Sequence, residues 1–412
     1  MRHKFLFLLF VFIPIVSVLR AQKIRIKTGI EVLKENHFKQ LQGKRIGLIT
    51  NPTGVDNQLK STIDILHEAK NVKLVALFAP EHGVRGDEYA GASISNSTDA
   101  STGLPVYSLH GKNKKPTAEM LDSIDALVYD IQDIGCRSFT FVSTMGLAME
   151  AAAEKGIEFI VLDRPNPLGG EKVEGGLVEE KFRSFVSQYN IPYLYGLTCG
   201  ELARLLNGEK MISKECNLEV VKMKGWKRKM NYSDTGLQWI PASPHIPQAV
   251  TACFYPSTGI LGELGYVSIG VGYTLPFQLI AADWIDAENL CRNLNRLHLP
   301  GVLFRPVYVK PFYAVGQGKN LQGVQIHFIH YSKVRLTEIQ FYVMQELAAL
   351  YPDRAVFTQA DSSRFGMFDK VMGSDTYRIL FSQRNRWEDI RTAWNAPALS
   401  FRKMSRKYFL YH

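Results

Sequence analysis

"VKLVALFAPEHGVRGD", residues 72–87, is the stretch whose reading decides the fold. From Leu74 to Ala79 it is apolar at every position, without the in-and-out alternation of a strand that has one face in water. It therefore reads as a strand covered on both faces. Pro80 biases Ala79 away from helix and ends the strand. A glutamate, a histidine, an arginine and an aspartate then follow within seven residues. Polar groups crowded just past a buried strand belong at the carboxyl edge of a parallel sheet, where loops converge and ligands bind.

Four more runs have the same texture: "KRIGLITN" (44–51), "LPVYSL" (104–109), "DALVYDIQ" (125–132) and "EFIVLDRP" (158–165). Between them "STIDILHEA" (61–69), "TAEMLDSI" (117–124) and "FTFVSTMGLAMEAAAEKG" (139–156) read as helices, the last closed by Gly156. Strands alternating with crossover helices predict an α/β fold with a mostly parallel sheet. The chemically rich stretches fall after strands: "TNPTG", "APEHGVRGD", "YDIQDIGCR" and "DRPNPLGG". Past "NPLGG" the texture becomes Gly-rich and irregular. It then gives a helix "TCGELARLLNG" (198–208), a strand "LEVVKM" (218–223) and a Pro-rich loop "PASPHIPQA" (241–249). Strands "FRPVYVKPF" (304–312) and "LQGVQIHFIH" (321–330) follow, then a helix with Leu336, Ile339, Val343 and Leu347 on one face. The expected division is a leader at 1–21, an α/β domain at 22–185 and a smaller α+β domain at 186–412.

The leader, "MRHKFLFLLFVFIPIVSVLRA", has a basic start, an apolar run broken by Pro14 and a small residue at its end. It reads as a secretory signal peptide cleaved after Ala21, so the protein is expected to be exported, periplasmic or secreted, with no stable insertion in a membrane. The formal net charge is +10, with 49 basic and 39 acidic residues, and Arg2, Lys4 and Arg20 lie in the leader. The rest are scattered. The densest run, "RKMSRK" (402–407), reads as a solvated helix face, so no nucleic-acid partner is expected. A basic surface does suit an acidic polymer such as cell wall. The five cysteines are widely spaced with no CxxC pair and read as buried free thiols.

Glu81 in a convergent loop is a natural general acid if an apolar wall raises its pKa; otherwise it is a loop carboxylate paired with Arg85. Asp130 reads as facing the mouth of the site and Asp133 as a helix cap, with Arg137 close by. A metal-dependent hydrolase is a rival reading for a Glu, His and Asp collection, but no tight ligand pair such as HExxH is present. "GVGYT" (270–274) reads as a turn, and no nucleotide or other cofactor is expected. Trp226, Trp239, Phe254 and Tyr255 lie beside polar loops and, taken together, favour a sugar-binding groove.

Taken in order, "NPTGV", "APEHGVRGD", "YDIQDIGCRSFT", "DRPNPLGG", "TCGELARL", "GWKRKM", "YPSTG" and "FRKMSRKYFLY" make the chain resemble the exo-acting β-N-acetylmuramidases of peptidoglycan turnover. The resemblance spans nearly all of the chain after the leader. It implies a Rossmann-like N-terminal domain, a smaller C-terminal domain and an active cleft between them. The implied activity releases N-acetylmuramic acid from non-reducing ends of peptidoglycan fragments; a non-catalytic wall-sugar-binding relative is the alternative. Carried over residue by residue, Glu81 is the first catalytic candidate, joined by Asp130 and Glu263. Asn51, His82, Arg85, Asp133, Arg137, Arg164, Asn166 and Tyr255 are the candidates for holding substrate. The chain departs from the family at Tyr89, where relatives carry an acid, and at "ELGYVSIGVGYT" (263–274), where they carry a stretch resembling EGTNxSxGRGT. Tyr266 and Val271 thus stand where an asparagine and an arginine are expected, and both are expected to face the cleft opposite Glu81.

Overall fold

The structure, a computed structural model, describes residues 26–86 and 97–412. The expected signal peptide and Tyr89 lie outside them. Seven strands build the larger sheet: β1 (Arg45–Thr50), β2 (Lys73–Ala79), β3 (Ser97–Thr98), β4 (Pro105–Ser108), β5 (Ala126–Asp130), β6 (Glu158–Leu162) and β7 (Leu218–Val221). Their order is β3-β4-β2-β1-β5-β6-β7, parallel throughout except for the short edge strand β3. The absence of alternation in the sequence has the expected cause. Phe78, Leu127, Tyr129 and Phe159 feed the core on one face, while Leu48, Leu77, Val128 and Ile160 feed the core on the other. Helices α1 (Gly29–Glu35), α2 (Thr62–Glu68), α3 (Phe141–Lys155) and α4 (Cys199–Gly208) cover them.

Gly156 ends α3 in the left-handed region at φ 76, as the sequence predicts. "TAEMLDSI" instead forms one 3₁₀ turn, Glu119–Leu121. The segment is short, and Asp122 and Ser123 are residues whose side chains compete for the backbone in turns. "LEVVKM", expected in the second domain, is β7 of the first sheet, reached from β6 through α4. The expected boundary at 185/186 therefore falls inside a crossover. The irregular stretch before α4 is an excursion rather than a linker, since Leu194 bridges both Glu174 and Cys136.

The rest of the chain begins with α5 (Ala249–Gly262). Pro256 sits inside this helix, and the sequence reading assigns no helix there. Gln340 ties the following turn to the rest of the second domain: its buried amide donates to the Pro256 carbonyl at 2.9 Å and accepts from the Leu261 N–H at 3.0 Å. Strands β8 (Leu279–Ala282), β9 (Val302–Val309) and β10 (Leu321–Phe328) form an antiparallel sheet in the order β8-β10-β9, packed with α6 (Ala287–Arg296). Helices α7 (Ile339–Leu350), α8 (Val356–Gln359), α9 (Phe365–Met372), α10 (Thr376–Arg384) and α11 (Glu388–Ser405) complete the chain.

Leu336, Ile339, Val343 and Leu347 are all buried, as their spacing predicts. Arg402, Lys403, Arg406 and Lys407 are exposed, so the basic run is a solvated face. All five cysteines are free thiols. Among the described residues no helix is long and apolar enough to cross a membrane.

Candidate active site

A cavity of about 400 Å³ opens between the carboxyl edge of the larger sheet and the second domain. The first domain supplies Glu81 and His82 from the loop after β2, and Ser138 to Phe141 from the loop that leads from β5 into α3. The Pro-rich loop before α5 supplies His245, and the second domain supplies the α5 residues Tyr255 and Gly259, Glu263 at the end of α5, and Val271, Phe277 and Ala314. Parallel strands end where crossover helices begin, so the fold itself delivers two loops to this edge.

The turn at Glu81 is tight. His82 has φ 75 and Gly83 φ 79, and the Gly83 N–H donates to the Pro80 carbonyl at 3.1 Å. A left-handed conformation is natural for glycine and unusual for histidine, and such backbone strain is concentrated at functional sites. The Thr140 hydroxyl donates to Glu81 Oε2 at 2.9 Å, which fixes the carboxylate against the start of α3.

Glu263 faces the cavity from the other domain. Burial raises its pKa, with the nearby charge of Arg364 acting in the opposite direction. Its carboxyl accepts no hydrogen bond among the described residues, whereas its backbone carbonyl accepts one from Arg364 at 3.1 Å. Tyr255 lies within the field of both carboxyls. Burial first, then Cys136, Glu263 and Glu81 among its neighbours, holds its phenol well above the ordinary range. Its hydroxyl is 3.1 Å from Ser138 Oγ, which in turn donates to Tyr193 at 3.0 Å. His245 Nε2 lies 3.0 Å from the Tyr313 hydroxyl, and burial, reinforced by His82, lowers the His245 pKa. The lining contains no lysine or arginine among the described residues.

Of the residues the sequence singles out, Glu81, His82, Tyr255 and Glu263 thus share one cavity. The other candidate catalytic and substrate-holding residues do not line it. Asp130 is fully buried and clamped by Arg164, at 2.5 and 2.9 Å, with Thr62 as a further donor. That buried ion pair ties β5 to the loop after β6, and Asp130 does not face the mouth. Arg85 pairs with Asp99 at 2.9 and 3.0 Å, so it is partner to neither Glu81 nor the cavity. Asp133 accepts from the Gly135 N–H at 2.6 Å and from the Tyr195 hydroxyl, and burial raises its pKa to about 6. It closes a turn rather than capping α3, whose N-cap is Thr140. Asn51 accepts from Thr53, and Asn166 bonds the backbone of Leu168 and Leu197, so both amides shape loops.

Arg137 is also inside the protein, where its guanidinium donates to the carbonyls of Gly176, Ile191, Val371 and Met372 and to Ser187 Oγ. Trp226 packs on Tyr411, Phe254 stacks on Phe328, and Trp239 meets Tyr232 edge-on. None of these three rings lines the cavity. Val271 does line it, whereas Tyr266 packs on Trp284 and its hydroxyl donates to the Arg354 carbonyl. The sequence reading missed Ser138, Thr140 and His245. The first two sit inside a motif that drew notice for its acids, and a histidine in a Pro-rich loop carries no spacing signal.

Comparison with known proteins accords with this arrangement. Residues 46–250 match the family described as "Exo-beta-N-acetylmuramidase NamZ, N-terminal", and residues 253–411 match "Exo-beta-N-acetylmuramidase NamZ, C-terminal". The chain is 45% identical over 391 residues to the peptidoglycan beta-N-acetylmuramidase NamZ of Bacillus subtilis (strain 168), covering 95% of this chain and 92% of that protein. Two crystal structures of DUF1343 family proteins from Bacteroides fragilis NCTC 9343 share the fold. One is 69% identical with a TM-score of 0.92, covering 94% of this chain and 100% of the other. The second is 27% identical with a TM-score of 0.75, covering 94% and 99%.

Proposed function

This chain belongs to the exo-β-N-acetylmuramidase family, and from that premise we propose that it is an exported glycosidase releasing N-acetylmuramic acid from the non-reducing ends of peptidoglycan fragments. The observation that carries the reading is the placement of two carboxyls, Glu81 and Glu263, in one cavity from opposite domains. Glycoside hydrolysis asks for such a pair: one carboxylic acid protonates the leaving oxygen while a second group assists attack at the anomeric carbon.

The two environments differ in the way those roles require. Glu263 is desolvated and its pKa is raised, which suits the proton donor. Glu81, oriented by the Thr140 hydroxyl, suits the partner that assists attack. The cavity volume is at the small end of the range for pockets that enclose a small ligand, which favours a terminal sugar over an internal stretch of strand. The apolar walls at Val267, Ile269 and Phe277 keep water away from the reacting centre. No cofactor or metal takes part in the proposed steps. Export rests on the leader sequence.

Incubation with fragments that carry N-acetylmuramic acid at the non-reducing end tests the proposal. Free N-acetylmuramic acid is the expected product. Its rate should be full at low pH with respect to the Glu263 proton and fall as pH rises through that raised pKa. Binding without release, or release of internal fragments only, would contradict it.

A further inference from the structure

A second concavity, of about 900 Å³, lies beside the cavity in the second domain. Three aromatic residues line it. Phe312 is 70% exposed, Tyr308 is 61% exposed, and Tyr273 lies nearly parallel to Phe312 at 6.3 Å between ring centres with 15° between planes. Gln317 and Gln322 add amides, and Lys310 is the single charged side chain of the lining among the described residues. Neighbouring rings held open to water are unusual on a surface that binds nothing.

The groove and the cavity share their walls. The Phe312 N–H donates to the Gly272 carbonyl at 2.7 Å, joining the turn at 270–274 to the segment at 311–315. The approach is so close that a Cβ on Gly272, at φ 88, would lie 1.9 Å from the Tyr313 carbonyl oxygen. Along this seam the side chains divide between the two spaces. Val271, Ala314 and Val315 line the cavity, while Tyr273 and Phe312 line the groove. A chain leaving the cavity over this rim therefore passes onto the aromatic faces.

We propose that the groove binds the sugar rings that follow the terminal one, so that the protein grips a glycan strand while the cavity holds its end. This rests on the function proposed above. The apolar faces of pyranose rings match the exposed rings of Tyr308 and Phe312 and the half-buried ring of Tyr273 beside them. The amides of Gln317 and Gln322 donate to and accept from hydroxyls and N-acetyl groups. Lys310 offers the charge that suits carboxylates on lactyl or peptide substituents of the strand.

The test compares a nitrophenyl β-N-acetylmuraminide with a glycan strand of several disaccharides, using the wild type and a Tyr308→Ala/Phe312→Ala double variant. Both side chains are exposed, so their removal leaves the core intact. The expected result is a rise in KM for the strand on the order of tenfold, with the nitrophenyl substrate changed by less than about twofold. Equal effects on both substrates would overturn the groove.

Strand binding, measured by calorimetry in a Glu81→Gln background, separates this inference from the functional reading. If neither substrate is cleaved, the function fails, while weaker strand binding in the double variant still supports the groove. Unchanged strand binding overturns it. A self-associated form that dissociates on the double substitution, seen by sedimentation, would assign the face to a second copy and also overturn it.

Discussion

Glu81 and Glu263 reach one cavity from different domains, and the phenol lying within the field of both is Tyr255. The sequence marks Glu81 because an acid immediately after a buried strand and a proline can lie only at the sheet edge. It marks Glu263 through the family motif alone. Asp130, Arg164 and Arg137 look equally polar in sequence, yet each is consumed by a buried contact that only the tertiary structure reveals. Charge in a motif signals proximity to the edge, not which way the side chain turns.

Val271 is the informative departure, because it lines the cavity where the family resemblance leads to the expectation of an arginine, and among the described residues the lining has no arginine or lysine. His82 and His245 are the histidines of the lining among the described residues. Val271→Arg should therefore raise the preference for muramic over glucosamine glycosides. One charge-assisted hydrogen bond, roughly 1.5 to 3 kcal/mol, corresponds to about one to two orders of magnitude in kcat/KM ratio. Side-by-side kinetics on the two glycosides decide the matter. An unchanged ratio, or a wild type already strict for muramic acid, would show that the carboxylate is recognised elsewhere.

At the scale of elements, the parallel strands were legible because two-sided burial removes alternation. The helix α5 was not, because a proline at 256 forbids one helical hydrogen bond, and the distant Gln340 amide that bonds the turn after it cannot be read from local sequence. The strand β7 was displaced to the wrong domain for a similar reason: its sheet partner β6 is separated from it by a long irregular excursion.

That excursion is held down by Arg137. Its guanidinium, with a pKa lowered to about 10 by burial, spans carbonyls from the loop before α4 and from the end of α9. A planar fork of donors is the side chain that can serve several carbonyls at once. Arg137→Met should then leave four carbonyls without their donor and cost about 3 kcal/mol or more. Chemical denaturation of the variant measures this, and a loss below about 1 kcal/mol would mean that water or a shifted loop serves those carbonyls equally well.

For the whole molecule, the cleft depends on how the two parts of the chain hold together. The C-terminal residues return to the first sheet. The Tyr411 hydroxyl donates to Asp163 Oδ2 at 2.6 Å and accepts from the Met223 N–H, and the Leu410 N–H donates to Glu201. Arg137 joins the same two regions from the other side. Glu81 and Glu263 thus line one cavity between two parts of the chain that these contacts join. The measurement that tests this most directly is turnover and binding of a muramic-ended fragment by Glu81→Gln and Glu263→Gln, each checked for folding. Both substitutions keep side-chain volume and remove the acid. Turnover should fall by about 10² to 10⁴ in each, with fragment binding retained. Near wild-type turnover in either variant would contradict the two-carboxyl site.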